Sequence, residues 1–377
     1  MTSEEWADPG SLLGRLRRGR GLGHREAIAT VGAETLVLEC LRHEPRWDPQ
    51  VDERGEYYAR LVLRLGIPVH AIPFDRDDPD VTRGVPFEVL VALASEGSAA
   101  AAAVLHTYFE SADEPDWGAV DDVWRDGGPA ARDGLVDVVL GRIGDADLAA
   151  VVTRFEGGPW AAWAEHPRVA VALAREVREP WRRPDLGDRT TAELHDIALG
   201  PVTGERRWAS DELARRGDLI LLDLAERTDL RDGNGAMPWL GSSVVRLGGA
   251  ALPRARAWAR GDDEWLRHLG RRVVGAHGTA ADADDVLAWF EAAVSVEDWC
   301  ATEGFAECLG RLRHVPSAVP IRHAWEVTPH SLARTRYLPA LVAIDGGASE
   351  VDEAVDDCES LTRRAARAAM KRVSSGG

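Results

Sequence analysis

Apolar residues recur at helical spacing near the start of the chain. Over residues 33–41 they stand at positions i, i+3, i+4, i+7 and i+8, which places them on one side of a helix with about 3.6 residues per turn. A second stripe covers residues 51–65 and ends before Gly66, a typical helix stop. We therefore predict two antiparallel helices joined by the turn HEPRWD at 43–48, with the second helix beginning at Pro49.

Residues 43–61, HEPRWDPQVDERGEYYARL, contain most of the side-chain types that can do chemistry. The apolar residues of this stretch nevertheless have places on a helix stripe or over the turn, so we interpret it as a helix joint and not as a catalytic site. This interpretation predicts that Trp47 and Tyr58 are buried. It also predicts that Arg54 is exposed on the solvent face and that Tyr57 lies on the flank of the stripe.

The same pattern continues along the chain. Apolar helical segments separated by Gly, Pro or Asp occur at 87–97, 99–109, 133–144 and 168–177. No segment shows the sustained alternation of β-branched residues that is typical of a strand. The predicted fold class is therefore all-α.

A repeat of about thirty residues is visible in the second half of the chain. Gly217, Gly248 and Gly278 are 31 and 30 positions apart, and each ends one apolar helical segment and precedes another. Trp258, Trp289 and Trp325 recur late in the second helix of three successive pairs. A pair of short amphipathic helices cannot bury its apolar stripe alone, so these pairs are expected to stack.

In these paired-helix units, over about 200–377 and more loosely at 33–65, the chain resembles the HEAT-like family of α-solenoids. Residues 15–25 also resemble actinobacterial HEAT-type proteins of unassigned role. The resemblance implies an α-α superhelix of antiparallel helix pairs with a concave binding surface, and it implies no reaction. We expect one continuous solenoid with N-terminal helices at 1–75, an irregular middle part at 76–200, and repeats with a capping helix at 201–377.

The charge balance points to the kind of partner. The chain carries a formal net charge of −18, and Lys371 is its only lysine. An acidic surface disfavours nucleic acid, which needs a basic face, and favours a protein partner with a basic surface. If the protein is such a scaffold, the candidate partner-binding residues are Arg54, Tyr57, Trp258, Trp289 and Trp325.

Cofactors, metals and membranes are not indicated. The four cysteines form no C-x-x-C pair and the eleven histidines no H-x-x-x-H pair, so we expect neither a metal site nor a cofactor. No stretch approaches the roughly 20 apolar residues of a membrane span, and the N-terminal residues lack an apolar run. We expect a cytoplasmic protein.

The two ends of the chain carry blocks of charge. Five arginines between Arg15 and Arg25 form a basic run, which we interpret as a solvated face. A single terminal helix is expected to begin with acids at 350–353 and to end with basic residues at 363–372, an order that complements the helix dipole.

An enzyme is the alternative function. Asp282, Asp284 and Asp285 form D-x-D-D, which resembles the proton-donating motif of class II terpene cyclases, where one acid must stay protonated. Asp282 also stands where a helix N-cap is expected, and 6% aromatic residues is few for a carbocation pocket. The acids of DDVWRD at 121–126 resemble the magnesium motif of class I terpene synthases. The second metal-binding motif of those enzymes does not occur in this sequence.

A third function class is DNA repair, because some HEAT-like proteins resemble alkylpurine glycosylases. Those enzymes need a basic concave face, and the net charge of −18 opposes it.

Overall fold

The computed structural model describes residues 6–43, 46–75, 82, 84–111, 116–154, 158–175, 184–200, 204–232 and 236–375. Over these residues the chain is all-α, as predicted, and contains no strand. Within the same residues, no helix combines the length and the apolar character that crossing a membrane requires.

The chain divides into two compact units. Unit 1 comprises residues 1–180, 327–335 and 349–377, and unit 2 comprises residues 181–326 and 336–348. Unit 1 therefore joins the N-terminal helices to the last helices of the chain. The three-part division at residues 75 and 200 stays a prediction.

Unit 1 contains thirteen of the helices that the structure describes. They are α1 Leu12–Arg17, α2 Gly21–Ala29, α3 Ala33–His43, α4 Gly55–Leu65, α5 Val85–Ser95, α6 Ala99–Ser111, α7 Trp117–Asp126, α8 Gly128–Arg132, α9 Leu135–Leu140, α10 Asp145–Arg154, α11 Pro167–Arg175 and, late in the chain, α22 Ala348–Ala354 and α23 Ser360–Ser375.

The remaining helices belong wholly or mainly to unit 2. They are α12 Thr191–Leu199, α13 Gly204–Arg215, α14 Ile220–Glu226, α15 Pro238–Arg246, α16 Leu252–Ala259, α17 Glu264–His277, α18 Ala283–Ser295, α19 Trp299–Arg311, α20 Ala318–Val327 and α21 Arg334–Asp345.

The first predicted helix pair is confirmed in part. The stripe of 33–41 is the inner side of α3, and Gly66 ends α4 in the left-handed conformation with φ of 67°. The predicted start at Pro49 is wrong, because α4 begins at Gly55. Residues 48–52 instead form a turn, in which the N–H of Asp48 donates to the carboxylate of Asp52 at 2.9 Å. Glu44 and Pro45 of the predicted joint lie outside the described residues.

Gly55 fixes how closely α4 approaches α5. A Cβ at this position would lie 2.5 Å from the Cβ of Glu88 and 3.0 Å from its carbonyl carbon, so only glycine fits. The N–H of Gly55 donates to the Glu88 carboxylate at 3.1 Å. This close contact brings the beginning of α4 against the first half of α5.

The prediction of a single terminal helix is wrong, because the helix is interrupted between α22 and α23. The break turns Asp357, Cys358 and Glu359 into the core of unit 1, where each is at most 1% exposed. A buried pair explains the break, since the guanidinium of Arg334 donates to Asp357 at 2.8 and 3.2 Å. Because a carboxylate loses its hydration on burial, it needs such a partner.

The N-terminal basic run is not a solvated face throughout. Arg18 and Arg20 are 6% and 5% exposed. Arg20 forms a two-pronged pair with Glu353 at 2.8 Å, and Arg25 bonds Asp352 and Asp356. The basic run and the acidic block near the C-terminus are thus partners inside unit 1, where bidentate pairing stabilises each charge.

The glycine repeat of unit 2 marks helix ends as predicted. Gly217 and Gly248 follow α13 and α15 with φ of +72° and +66°, and Gly278 caps α17. Each is followed by a second helix, namely α14, α16 and α18. The first helices of successive pairs, α13, α15, α17 and α19, contact one another in order.

The most extensive packing in unit 2 joins the second helix of one predicted pair to the first helix of the next. α16 packs on α17, and α18 packs on α19. At the first of these contacts a Cβ on Gly270 would lie 2.5 Å from the carbonyl oxygen of Ala255 and 2.6 Å from the nitrogen of Ala259. Small residues on both helices therefore allow the backbones to meet.

Candidate functional site

A groove with a volume of about 1030 Å³ crosses unit 1 and is its main candidate site. We call it the α4–α5 groove, because these two helices and the turn before α4 supply most of its lining, at residues 49–64 and 87–96. α4 contacts α2 as well as α5, and α5 in turn contacts α7 and α8. The groove therefore runs from His24 of α2 at one end to residues 122–132 of α7 and α8 at the other.

The floor of the groove rests on a buried polar network. We call Asp52, Arg54, His330, Ser331 and Glu359 the Arg54 cluster, and each member is 3% exposed or less. Arg54 donates to the Ser331 hydroxyl at 2.6 Å, and Nδ1 of His330 lies 3.0 Å from the Asp52 carboxylate.

Asp52 is the most strongly bonded acid of this cluster. Its carboxylate lies within hydrogen-bond distance of His330, of the Ser331 hydroxyl, and of the N–H groups of Leu332 and Asp48. Burial alone would raise the pKa of Asp52, but the hydrogen bond from His330 and the charge of Arg54 outweigh it and hold that pKa well below its usual range. Asp52 is therefore ionised at neutral pH.

The Ser331 hydroxyl contacts two carboxyl groups and has only one proton to give. It lies 2.9 Å from Asp52 and in short contact with Glu359. Burial raises the pKa of Glu359 to about 7, against the opposing effects of Ser331 and Arg54. A protonated Glu359 can donate to Ser331, which then donates to Asp52, so the single Ser331 proton suffices for both contacts.

A second buried layer closes the network from the side away from the groove. The thiol sulfur of Cys358 lies 3.0 Å from Nη1 of Arg54 and 3.3 Å from Nη2 of Arg334. Burial raises the pKa of Cys358 well above its usual range, and it stays a thiol. These side chains hold three distant segments of unit 1 together and do not open onto the groove.

One end of the groove is a cation wall, made of His24, Arg60 and Arg64. Arg60 and Arg64 stand one turn apart on α4, and the His24 ring packs against Tyr57 one turn earlier, with 5.7 Å between ring centroids. All three wall residues line the groove. The hydroxyl of Tyr57 is engaged elsewhere, since it donates to the carbonyl of Arg20 at 2.9 Å.

The other end is an acidic wall, made of Glu96, Asp122 and Asp126. Asp122 and Asp126 share Arg125 with Asp121, so three carboxylates surround one guanidinium. Burial raises the pKa of Asp122, because Arg125 only partly offsets the loss of water and the repulsion from Asp121 and Asp126. This wall has negative charge in excess. Asp121, Asp122 and Asp126 all bond Arg125, so these acids are not the free magnesium ligands of a terpene synthase.

The structure corrects the expected exposure of Arg54. Its side chain is 1% exposed instead of facing solvent, because its charge is compensated by Asp52 and bonded to Ser331. Tyr57 is fully buried, and Tyr58 is buried as predicted, whereas Trp47 is only half-buried. Arg54 and Tyr57 thus lie beneath the groove, and neither offers its side chain to a partner at the surface.

The three tryptophans of unit 2 are mainly part of its packing. Trp258 and Trp325 are 7% and 1% exposed, and the indole N–H of Trp258 donates to Glu226 at 3.0 Å. Trp289 is half-buried between Phe305 and the guanidinium of Arg271, which lies 5.4 Å from its ring centroid. Of the three, Trp289 keeps a surface on which a partner could pack.

The D-x-D-D acids do not form a proton-donating site. Asp282 closes a capping box with Thr279 and is bonded by Arg256 at 2.7 and 2.8 Å. The Arg256 hydrogen bond lowers the pKa of Asp282 to about 2, so this acid is ionised at neutral pH. Asp284 points into solvent beside His314, and Asp285 pairs with Arg260. The three acids are helix-start and surface groups.

Several residues of the site carry no signal in the local pattern. His24 and Glu359 stand among other polar residues, and nothing near them in sequence indicates that they are buried. Arg60 and Arg64 were visible only as polar positions at i and i+4 beside the stripe of α4. Among the described residues, no group of three or more His, Cys, Asp or Glu side chains is arranged to hold a metal ion.

No family model, no curated protein and no solved structure matches the chain.

Proposed function

We propose that the protein is a non-catalytic helical binding protein, whose α4–α5 groove holds a basic, partly apolar segment of a protein partner. The lining of the groove supports this most strongly. Of the eight acids in the lining, Glu56, Glu88 and Asp356 pair with arginines outside it, and Glu96, Asp122 and Asp126 supply the acidic excess at one end of the groove. It also contains Leu63 and Val51, whose side chains are 53% and 41% exposed.

The acidic wall supplies the electrostatic part of this recognition. Asp121, Asp122, Asp126 and Arg125 together carry a charge of about −2, and Arg132 nearby donates to the backbone carbonyl of Arg125 and not to these acids. Glu96 at the end of α5 makes no ion pair with any described residue and is exposed. Lysine or arginine side chains of a partner would be attracted to this wall, and the attraction would speed association.

Apolar contact supplies the rest of the binding free energy. Leu63 projects from α4 next to Ala59, and Val51 stands on the turn before α4. Exposed aliphatic side chains in a concave surface favour burial by a partner at roughly 25 cal/mol per Å². A segment that alternates basic and apolar residues would satisfy both features.

The buried network of the floor fits binding better than catalysis. Asp52 and Glu359 are the acids with the most perturbed pKa values near the groove, and perturbed acids often mark active sites. Here both are 3% exposed or less and bonded to protein groups. Their positions support a role in holding the groove in shape.

Peptide binding tests the proposal. The probes are a short fluorescent peptide with interspersed Arg and Leu and its counterpart with Glu in place of Arg. The basic peptide should bind, with an affinity that falls as salt rises, and the acidic peptide should not. Asp126→Asn or Glu96→Gln should each weaken binding by about twofold to fivefold. The matched control is Glu34→Gln, an exposed acid on α3 outside the groove. Equal binding of both peptides, or none of either, would overturn the proposal.

We extend the proposal to unit 2, which we infer to be a HEAT-like stack, and to a cytoplasmic location. The ordered contacts of α13, α15, α17 and α19 support the stack, because neighbouring repeats of a solenoid contact only each other. Cys40, Cys308 and Cys358 are buried thiols, which suits a reducing compartment. Small-angle scattering of the whole chain would test the stack, since a superhelix is more elongated than a globule of the same mass.

A further inference from the structure

His24 is a buried side chain without hydrogen-bond partners. It is 6% exposed, and neither Nδ1 nor Nε2 bonds any group of the described residues. It nevertheless lines the α4–α5 groove, at the contact between α2 and α4. Buried polar atoms are nearly always bonded, and leaving one without a partner costs about 1–3 kcal/mol.

The arginines beside His24 also lack acidic partners. Arg60 donates only to the backbone carbonyls of Asp356 and Asp357, at 3.3 and 3.1 Å, and its buried Nε has no partner. Arg64 is exposed and makes no ion pair with any described residue. The nearby arginines of α2 and α23 differ, because Arg25 is paired with Asp352 and Asp356, and Arg363 with Glu56.

The electrostatics of the cation wall agree with this geometry. Burial, together with the charges of Arg60, Arg64 and Arg25, lowers the pKa of His24 to about 4, and the opposing effect of Asp356 is smaller. At neutral pH the wall therefore carries two guanidinium charges and a neutral imidazole with one N–H to donate. Arg60 reaches only two backbone carbonyl oxygens, and neither the imidazole nor Arg64 bonds an acceptor oxygen of the described residues.

We propose that His24, Arg60 and Arg64 form a subsite for an oxyanion, either a phosphate or a carboxylate group. The oxygens of such a group would accept hydrogen bonds from the imidazole and from both guanidinium groups. Charge-assisted bonds of this kind are the strongest that side chains make, and arginine suits planar and tetrahedral oxyanions alike. The subsite stands on the orphaned nitrogens and does not depend on the proposed basic partner.

Titration of the histidine resonances with inorganic phosphate, and separately with acetate, tests the subsite. Ionic strength is held constant with sodium chloride, and the His24 signal is assigned by its loss in His24→Phe. We expect a saturable shift of that signal, and a rise in the pKa of His24 by about one or more in the bound state. Saturation by phosphate alone would identify a phosphoryl site, and saturation by acetate alone a carboxylate site.

Paired arginine variants make the test specific. Arg64→Gln removes an exposed side chain without a protein partner, so its fold should be kept, as its thermal melt can verify. It should weaken oxyanion binding about tenfold. Arg42→Gln is the matched control, an exposed arginine at the end of α3 outside the groove, and it should bind like the parent. No saturable shift with either anion, or equal weakening by both variants, would overturn the subsite.

Discussion

The Nη1 atom of Arg54 lies 2.6 Å from the hydroxyl oxygen of Ser331, 277 positions further along the chain. Through this contact the turn before α4 is fastened to the residues before α21, and through Glu359 to the residues before α23. The groove above Arg54 therefore owes its shape to segments that are remote in sequence.

Removing the Arg54 side chain should strongly destabilise unit 1. Arg54→Ala leaves Asp52 and Ser331 buried with fewer partners, and breaking a buried charged network typically costs about 3–5 kcal/mol. Urea unfolding followed by circular dichroism measures the change. The matched control, Arg42→Ala, removes an exposed arginine and should stay within about 0.5 kcal/mol of the parent. An Arg54→Ala protein as stable as that control would show that the cluster contributes nothing to the fold.

His24 should make the protein sensitive to mild acid. Its pKa is about 4 in the folded state and 6.5 in an unperturbed chain. Between these pH values the unfolded chain binds a proton that the folded protein does not, so folding stability falls as pH falls. The loss attributable to His24 is at most about 3 kcal/mol. His24→Phe cannot bind the proton, so the free energy of unfolding of this variant relative to the parent should rise as pH drops from 6.5 to 4. A constant difference over that range would contradict the burial of a neutral His24.

Glu359 should make folding stability depend on pH in the opposite direction. Its pKa is about 7 in the folded state and 4.5 in an unperturbed chain. Between these values the folded protein keeps a proton that the unfolded chain has lost, so this group lowers stability as pH rises. Glu359→Gln stays uncharged, and relative to the parent it should gain up to about 3 kcal/mol between pH 4.5 and 7. Urea melts at several pH values measure the difference, and a slope of the other sign would show that Glu359 is ionised in the native state.

Two glycines of unit 2 offer a matched pair of alanine substitutions. Gly270→Ala forces a Cβ into the backbone of α16 and should cost about 1–3 kcal/mol, as overpacking does. Gly304 lies within α19 and has open space around its missing Cβ. Gly304→Ala should therefore stabilise the helix by roughly 0.5–1 kcal/mol. Thermal melts that move both variants in the same direction would contradict the close packing of α16 on α17.

The helical pattern of the sequence predicted those features of the fold that depend on neighbouring residues alone. The stripe of α3, the end of α4 at Gly66 and the helix ends at Gly217 and Gly248 all follow from side-chain periodicity and from backbone conformations that glycine adopts freely. Those signals lie within a few residues of the structure that they specify.

Buried polar pairs cannot be predicted from such local signals. Periodicity assigns every polar residue to the solvent face. It therefore predicted that Arg54 is exposed and that one terminal helix continues through Asp357. The partner of Arg54 is Ser331, which is distant in sequence. The partner of Asp357 is Arg334, and no local sequence pattern indicates that this pair is buried. One signal was present, however. The basic run at 15–25 and the acidic block at 350–356 have opposite charges, and pairing them predicts the contacts of Arg20 and Arg25.

Photo-crosslinking of the basic Arg- and Leu-containing peptide tests the central claim, that the α4–α5 groove is the binding surface. A photoreactive phenylalanine derivative replaces Leu63, which is 53% exposed in the groove, or Val31, which is fully exposed outside it. The account predicts that the peptide is captured at position 63 and not at position 31, and that rising salt reduces the capture. Equal capture at both positions, or capture at position 31 alone, would contradict it.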